Sequence, residues 1–258
     1  MMKKFEFTKQ NSSPMGEVRR GISRRVKTAF TLAEVLITLG IIGVVAAMTI
    51  PTLIANTNGQ RYRSQFKKTV STLNQAVRMA QAQYDFNFAD LDDPFAEGME
   101  DCAKQNPEQV KTICSLFNGT LTGATYLGII GDNEELNKVY KDRPFYASNE
   151  NIIAWSLADG ALFALNTGKL SWYTGTKKLD DNFYNETMMG FIDVNGISKP
   201  NKWSDCSNDN DLGFDEGGVQ SPCVVKTKDI HDIFLVYLYD TSVIPASSSA
   251  AYVFNTAK

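Results

Sequence analysis

The sequence contains only one histidine, His231, and the short motifs of common catalytic sites are missing from it. There is no GxSxG, HExxH, GxGxxG or phosphate-binding GxxxxGK[ST] motif. The 18 Gly and 8 Pro among 258 residues are too few for a collagen-like or low-complexity chain, and 11% aromatic residues argue against bulk disorder. We therefore expect a folded protein that is not an enzyme.

The charges are distributed unevenly along the chain. Residues 1–29 contain eight Lys or Arg and two Glu, a net charge of +6, whereas residues 30–258 have a net charge of −9. An acidic body repels phosphate, so the sequence predicts no nucleic-acid partner.

A long apolar run separates the basic and acidic parts. Residues 30–50 contain one ionisable side chain, Glu34, and as a helix they would measure roughly 30 Å, the thickness of a bilayer's hydrocarbon core. The positive-inside rule then places residues 1–29 in the cytoplasm and the acidic body outside. A secretory signal peptide is the alternative, but residues 46–48 (AAM) are a poor cleavage site and the apolar run continues beyond them.

The start of the apolar run resembles a known signal. Residues 29–34 (AFTLAE) followed by an apolar helix are similar to the class III signal of type IV pilins and type II secretion pseudopilins. Glu34, Gly43 and Pro51 lie at the distances from Phe30 at which the family typically has Glu, Gly and Pro. A carboxylate inside an apolar span is also expensive and usually functional, although Glu34 could instead snorkel to the interface.

The resemblance implies a processing step and an assembly. A prepilin peptidase would cut between Ala29 and Phe30 and methylate the new amine. The family prefers Gly before the cut, and we expect Ala29, the next smallest residue, to permit slower cleavage. In a filament the Phe30 amine of an incoming subunit and Glu34 of a neighbour would neutralise each other. Partners would be other pilin or pseudopilin subunits and the inner-membrane assembly platform with its ATPase. Met1, Met2 and Met15 are all candidate start residues.

Beyond Pro51, which we expect to kink the helix, the pattern predicts an α+β outer region. Residues 52–86 form an amphipathic helix half, although a coiled-coil dimer would give the same stripe. Residues 87–150 are expected to be an irregular connection with one or two small helices, and 151–258 an antiparallel sheet. The resemblance implies an α/β-roll. The stripe residues are Tyr62, Phe66, Val70, Leu73, Val77, Ala80 and Tyr84, and the predicted strands are Ile152–Leu157, Ala161–Leu165, Leu170–Tyr173, Met188–Val194 and Ile233–Tyr239. Asp159-Gly160 predicts a two-residue hairpin between the first two strands, and residues 166–168 (NTG) predict a turn before the third.

The four cysteines all lie in the outer region, where disulfides are expected. Three pairings are possible, and we favour Cys102 with Cys114 and Cys206 with Cys223, because each would close an irregular loop. A zinc site is the alternative, but the sequence has no CxxC pair and a single His.

Acidic and amide side chains crowd the segment 193–232, which suggests calcium, an ion that takes six to eight oxygen ligands. We take Asp193, Asn195 and Asp232 as the candidate ligands, and a solvated acidic loop as the alternative. The resemblance adds some support, since major pseudopilins bind calcium between late strands. No other cofactor is expected.

Taken together, the sequence predicts a single-pass inner-membrane protein with an extracytoplasmic domain, which enters a type IV pilus-like or type II secretion filament. Alternatives are a membrane-anchored, lectin-like binding domain that never polymerises, and an anchored hydrolase. The junction at Ala29 and Phe30 and the carboxylate of Glu34 separate these hypotheses, because a plain anchor needs neither.

Overall fold

The computed structural model describes residues 30–88, 91, 99–141, 152–169, 188–204, 206 and 223–256. The chain divides into two compact units, residues 1–46 and 47–258. The fold is α+β, as the sequence predicts.

Helix α1 runs from Leu32 to Tyr84 over 53 residues, and Pro51 lies inside it. Its first half is apolar, with a mean hydropathy of 2.2 over the best 18-residue window, and none of that window is buried. Length and composition therefore qualify this helix as a candidate membrane span.

The second half of α1 buries one side. Phe66 stacks on Phe234 of the sheet with ring centroids 4.2 Å apart, which anchors this side of the helix to the domain. Six of the seven stripe residues predicted from the sequence are buried, and Tyr84 is partly buried. The buried residues of the helix are Gly59, Tyr62, Phe66, Thr69, Val70, Leu73, Ala76, Val77 and Ala80.

Six strands form one antiparallel sheet in the order β1-β2-β3-β4-β5-β6, a meander in which each strand pairs with the next along the chain. The strands are β1 Thr125–Ile129, β2 Ile152–Ser156, β3 Leu162–Lys169, β4 Met188–Asp193, β5 Ile233–Tyr239 and β6 Ser242–Pro245.

Helices cover both faces of the sheet. A 3-10 helix (Met99–Lys104) and helices α2 (Ile113–Thr120), α3 (Glu134–Val139) and α4 (Ser248–Asn255) accompany α1. Helices α1, α2 and α4 contribute to one apolar core with Ile153 and Trp155, whereas α3 contributes to a second core with Ile152 and Ala154. Neighbouring residues of a strand point to opposite faces, so α1 and α3 lie on opposite sides of the sheet.

The hairpin between β2 and β3 was predicted, but its loop is longer than expected. Leu157 N–H donates to Ala161 O at 2.8 Å, so three residues rather than two connect the strands. Gly160 ends the loop at a φ of +86°, a left-handed conformation that glycine adopts without a steric penalty.

Several expectations need correction. Strand β1 lies in the segment 87–150, where no strand was predicted; the same segment contains α2 and α3, and one or two small helices were expected there. Strand β6 and helix α4 were not predicted. The predicted turn at residues 166–168 lies inside β3, where the pairing with β4 shifts register. The predicted strand Leu170–Tyr173 and the leader 1–29 lie outside the described residues.

Candidate functional site

The N-terminal candidate site begins at an exposed end of the chain's apolar helix. Phe30 is 83% exposed and precedes the first helical residue by two positions. Ala29, the other residue of the predicted cleavage junction, lies outside the described residues.

Glu34 is held by Thr31, the residue that immediately precedes the helix. The backbone N–H and the Oγ1 hydroxyl of Thr31 both donate to Glu34 Oε2 at 2.9 Å, and Glu34 N–H donates back to Thr31 Oγ1 at 3.2 Å. This reciprocal arrangement is a capping box, in which Thr and Glu three residues apart satisfy each other's backbone donors. This local role was not predicted, although the T-x-x-E spacing at residues 31–34 is typical of a capping box.

Two further candidates, Asp193 and Asp232, lie side by side at one edge of the sheet's central strands, where β4 ends and β5 begins. Asp193 ends β4 and pairs with Ile233, and Asp232 immediately precedes β5. Val194 N–H donates to Asp232 O at 2.9 Å, which ties the two strand ends together. Both carboxylates have an exposure of 0%, so burial makes their charge expensive.

Five neutral donors contact this carboxylate pair. Asp193 Oδ2 accepts from Tyr140 Oη–H at 2.9 Å and from Asn201 Nδ2–H at 3.1 Å, and Asp193 Oδ1 accepts from Asn195 N–H at 3.3 Å. Asp232 accepts from Asn201 N–H and Lys202 N–H, each at 2.8 Å. The hydrogen bonds of Asn201 reach both carboxylates, so this residue is the centre of the cluster.

The turn after β4 brings Asn201 into position. Gly196 and Asn201 have φ values of +64° and +48°, and the Lys199–Pro200 peptide bond is cis. Left-handed φ values suit Gly and Asn best, which explains why these two residue types occur where the chain reverses. The contacts of Asn201 with both carboxylates were not predicted from the sequence.

The pKa of Asp193 is raised to about 8, first because the group is buried and second because the Asp232 carboxylate repels its charge. The hydrogen bonds from Asn201, Tyr140 and Asn195 oppose this shift without overcoming it. Burial, the Asp193 charge and the hydrogen bond to Asp193 likewise raise the pKa of Tyr140, which therefore stays a donor. The pair favours uptake of a positive charge, either a proton or a metal ion.

The predicted calcium ligands are in part brought together. Two carboxylates offer about eight acceptor positions, and the donors among the described residues use five of them. Asn195 Oδ1 is buried and accepts no hydrogen bond from any described residue, so its chemistry is compatible with a cation ligand. Within the described residues, no group of three or more His, Cys, Asp or Glu side chains is placed to hold a metal. The residues fit calcium chemically, and calcium stays a prediction.

Tyr140 is the site residue that sequence reasoning missed. It immediately follows α3, is 2% exposed, and packs on Phe191 with ring centroids 5.0 Å apart. The available signal was the spacing of Leu136 and Tyr140, which places two apolar side chains on one face of a short helix.

The four cysteines form two disulfides, Cys102–Cys114 and Cys206–Cys223, the pairing favoured from the sequence. The first joins the 3-10 helix to α2. The acidic residues between Cys206 and Cys223 lie outside the described residues.

Comparison with known proteins adds no assignment. No family model matches this chain, and no curated protein or solved structure is significantly similar to it.

Proposed function

We propose that this chain is a pilin-like subunit, processed by a prepilin peptidase and assembled from the inner membrane into a type IV pilus-like or type II secretion filament. The observation that carries the proposal is the AFTLAE sequence at residues 29–34, whose last three residues begin one continuous helix, Leu32–Tyr84. An inner-membrane platform and its ATPase would drive the assembly.

The length of this helix favours a filament subunit over a plain anchor. At about 1.5 Å per residue, 53 residues measure about 80 Å, far more than the roughly 30 Å needed to cross a bilayer. The additional length forms part of the core of the outer domain, with Phe66 and Leu73 completely buried.

The exposed apolar side chains in the first half of the helix must also be shielded from water. Phe30, Leu32 and Met48 are 83%, 81% and 72% exposed. Lipid covers such side chains before assembly, and the same half of other subunits would cover them in a filament. A single Glu34 in this surface then needs a cationic partner when lipid headgroups and water are withdrawn.

N-terminal processing tests the proposal. The full-length chain, extracted from membranes of a host that contains a prepilin peptidase, should begin at Phe30 and carry an N-methyl group in its intact mass. Ala29→Leu should leave the precursor uncut, and Ala29→Gly, the matched small-residue control, should be cut at least as fast as wild type. An unprocessed wild-type chain, or one cut near Ala47, would favour the membrane-anchored binding domain or a signal peptide.

The two roles of Glu34 can be separated by substitution. Glu34→Gln retains a side-chain oxygen for the Thr31 capping bonds but removes the negative charge. If Glu34 pairs with a neighbour's Phe30 amine, the Gln variant should be inserted and cut normally yet fail to enter filaments beside wild-type subunits. If capping is its whole role, Glu34→Gln should assemble normally, and this outcome would contradict the amine–carboxylate pairing.

A further inference from the structure

The outer domain presents opposite charges on opposite sides of its sheet. Helix α1 packs on one face through Phe66 and Leu73, and α3 packs on the other through Leu136. Both helices therefore turn their polar sides away from the sheet in opposite directions.

The polar side of α1 is basic. Between residues 35 and 84 the sequence has five basic side chains and no acidic one. Arg61, Lys68 and Arg78 are exposed and lie within about 100° of one another around the helix axis. We call these three residues the basic strip, and they extend over about 26 Å of helix.

The start of α3 is acidic. Asp132, Glu134 and Glu135 are exposed, and Asn133 caps the helix by accepting from Leu136 N–H at 3.1 Å. We call the three carboxylates the acidic patch. Residues 85–258, to which the patch belongs, contain 13 basic and 26 acidic side chains, a net charge of −13.

We propose that the basic strip of one copy docks on the acidic patch of a second copy. This inference rests on the proposed function and names the contact between outer domains. The strip and the patch lie on opposite faces of one sheet, so they do not meet within a chain. A contact between two different surfaces of identical chains is heterologous, and it propagates into a ring or a helical filament rather than closing as a two-fold dimer.

One residue of the basic strip forms an ion pair within its own chain, and the other two are assigned to the second copy. Lys68 Nζ is 3.0 Å from Asp159 of the same chain, which uses one of the three cations within the domain. Arg61 and Arg78, at the two ends of the strip, are the residues that we assign to the second copy. Arginine also suits carboxylates better than lysine, because its planar group donates two parallel hydrogen bonds.

An anionic lipid headgroup is a poorer match for the strip. Ile54 is the last of the large exposed apolar residues at the end of the span, and Arg78 follows it by 24 positions, about 36 Å along the helix. The polar layer of a bilayer is only about 6 Å thick on each side, so headgroups cannot reach Arg78 when Ile54 lies at the edge of the hydrocarbon.

Site-specific photo-crosslinking in membranes tests the contact. Ser71 is exposed on the strip side of α1, and a full-length chain carrying p-benzoylphenylalanine at this position would be irradiated in its native membrane. We expect a crosslinked dimer whose joined peptide includes residues 132–141 of the second copy. A crosslink to lipid alone, or to another surface of the second copy, would overturn the inference.

Charge reversal gives a second test. The double variant R61E/R78E should lower the yield of that crosslink about tenfold, since two exposed ion pairs are replaced by repulsion. Adding Glu134→Lys and Glu135→Lys to the same chain should restore it, and K104E/K199E, with the same charge change at exposed sites outside α1, should leave it unchanged. Equal losses in the strip and control variants, or no rescue, would contradict the contact.

The two proposals can fail separately. If the chain is cut at Phe30 and forms filaments while the crosslink maps elsewhere, the contact is wrong and the filament function stands. If no processing and no filaments occur but dimers still crosslink through the strip and the patch, the contact stands and the filament function fails. Thermal melts of each charge variant verify that its domain remains folded.

Discussion

Raising the pH should destabilise the outer domain through the buried pair of Asp193 and Asp232. In the folded state the pKa of Asp193 is about 8, whereas an unfolded Asp has a pKa of about 3.9. Between these values the folded chain holds a proton that the unfolded chain has released. The stability from this proton is complete below about pH 4 and is lost as the pH rises through about 8.

The expected loss can be worked from the linkage relation. One additional proton in the folded state lowers the free energy of unfolding by about 1.36 kcal/mol for each pH unit gained. From pH 5 to pH 7 the loss is therefore about 2.7 kcal/mol. In a domain of about 200 residues this lowers the melting temperature by roughly 5–10 °C.

The assay is a thermal melt of the full-length chain in detergent, with chelator present, followed by tryptophan fluorescence. Trp155 is 1% exposed and lies in the core, so its emission reports on unfolding of the outer domain. Asp193→Asn removes the titrating group and should flatten the dependence on pH. Asp240→Asn, the same change at an exposed carboxylate, should retain it.

Calcium should act on the same pair if it binds there. At 100 times its dissociation constant, calcium would stabilise the folded state by about 2.7 kcal/mol and would replace the proton, so that the melting temperature no longer falls with pH. Asp193→Asn should abolish the effect. A wild-type melting temperature that is the same at pH 5 and pH 7 in chelator would refute the argument for a shared proton, and a melt insensitive to millimolar calcium would refute the calcium prediction.

Two predictions concern close contacts of α1. Gly59→Ala would place a Cβ 1.7 Å from Thr227 O, so the loop must move, and we expect the free energy of unfolding in a denaturant melt to fall by about 1–3 kcal/mol. Gly40→Ala, the control, has no atom within 4 Å of its new Cβ and should not lower this free energy. Equal effects of the two variants would contradict the packing argument. Asn74 donates to Val243 O at 3.0 Å and accepts from Val243 N–H at 2.8 Å. Asn74→Ala should therefore lower the free energy of unfolding by about 1–3 kcal/mol and speed hydrogen exchange at the Val243 amide. Unchanged exchange would show that the edge of β6 is protected by other means.

The elements with strong periodicity were predictable from the sequence. The apolar stripe of α1 and the run of Ile233–Tyr239 have the periodicity or length of buried elements, and the structure has both. Strand β1 was missed because its alternation is broken at Gly128, which has a φ of +95° and accompanies a shift in register. Strand β6 is four residues long and ends in Pro245, a residue that disfavours a strand assignment.

The predicted turn at residues 166–168 shows the limit of local composition. Asn-Thr-Gly is typical of turns, yet here it continues β3 because the backbone pairs with β4 on both sides of the irregularity. Neighbouring strands decided the conformation, and single-sequence patterns do not contain that information.

For the buried carboxylate pair, the sequence indicated the two aspartates but not the groups that donate hydrogen bonds to them. Asp193 and Asp232 were identified because acidic and amide side chains crowd the segment 193–232. Tyr140 is 53 positions away from Asp193 in sequence, and only the packing of α3 on the sheet brings its hydroxyl within 2.9 Å. Long-range contacts of this kind have no local signature.

The acidic residues of the two candidate sites share one physical property. Thr31 holds Glu34 and five donors hold the Asp193–Asp232 pair, and all of these donors are neutral groups. Neutral hydrogen bonds orient a carboxylate but do not cancel its charge, so withdrawal from water still requires a positive partner. Under the proposed function that partner comes from outside the chain in both places: the Phe30 amine of another subunit for Glu34, and a proton or calcium ion for the pair. Assembly should therefore depend on a free Phe30 amine, whereas the stability of the outer domain should depend on pH and calcium.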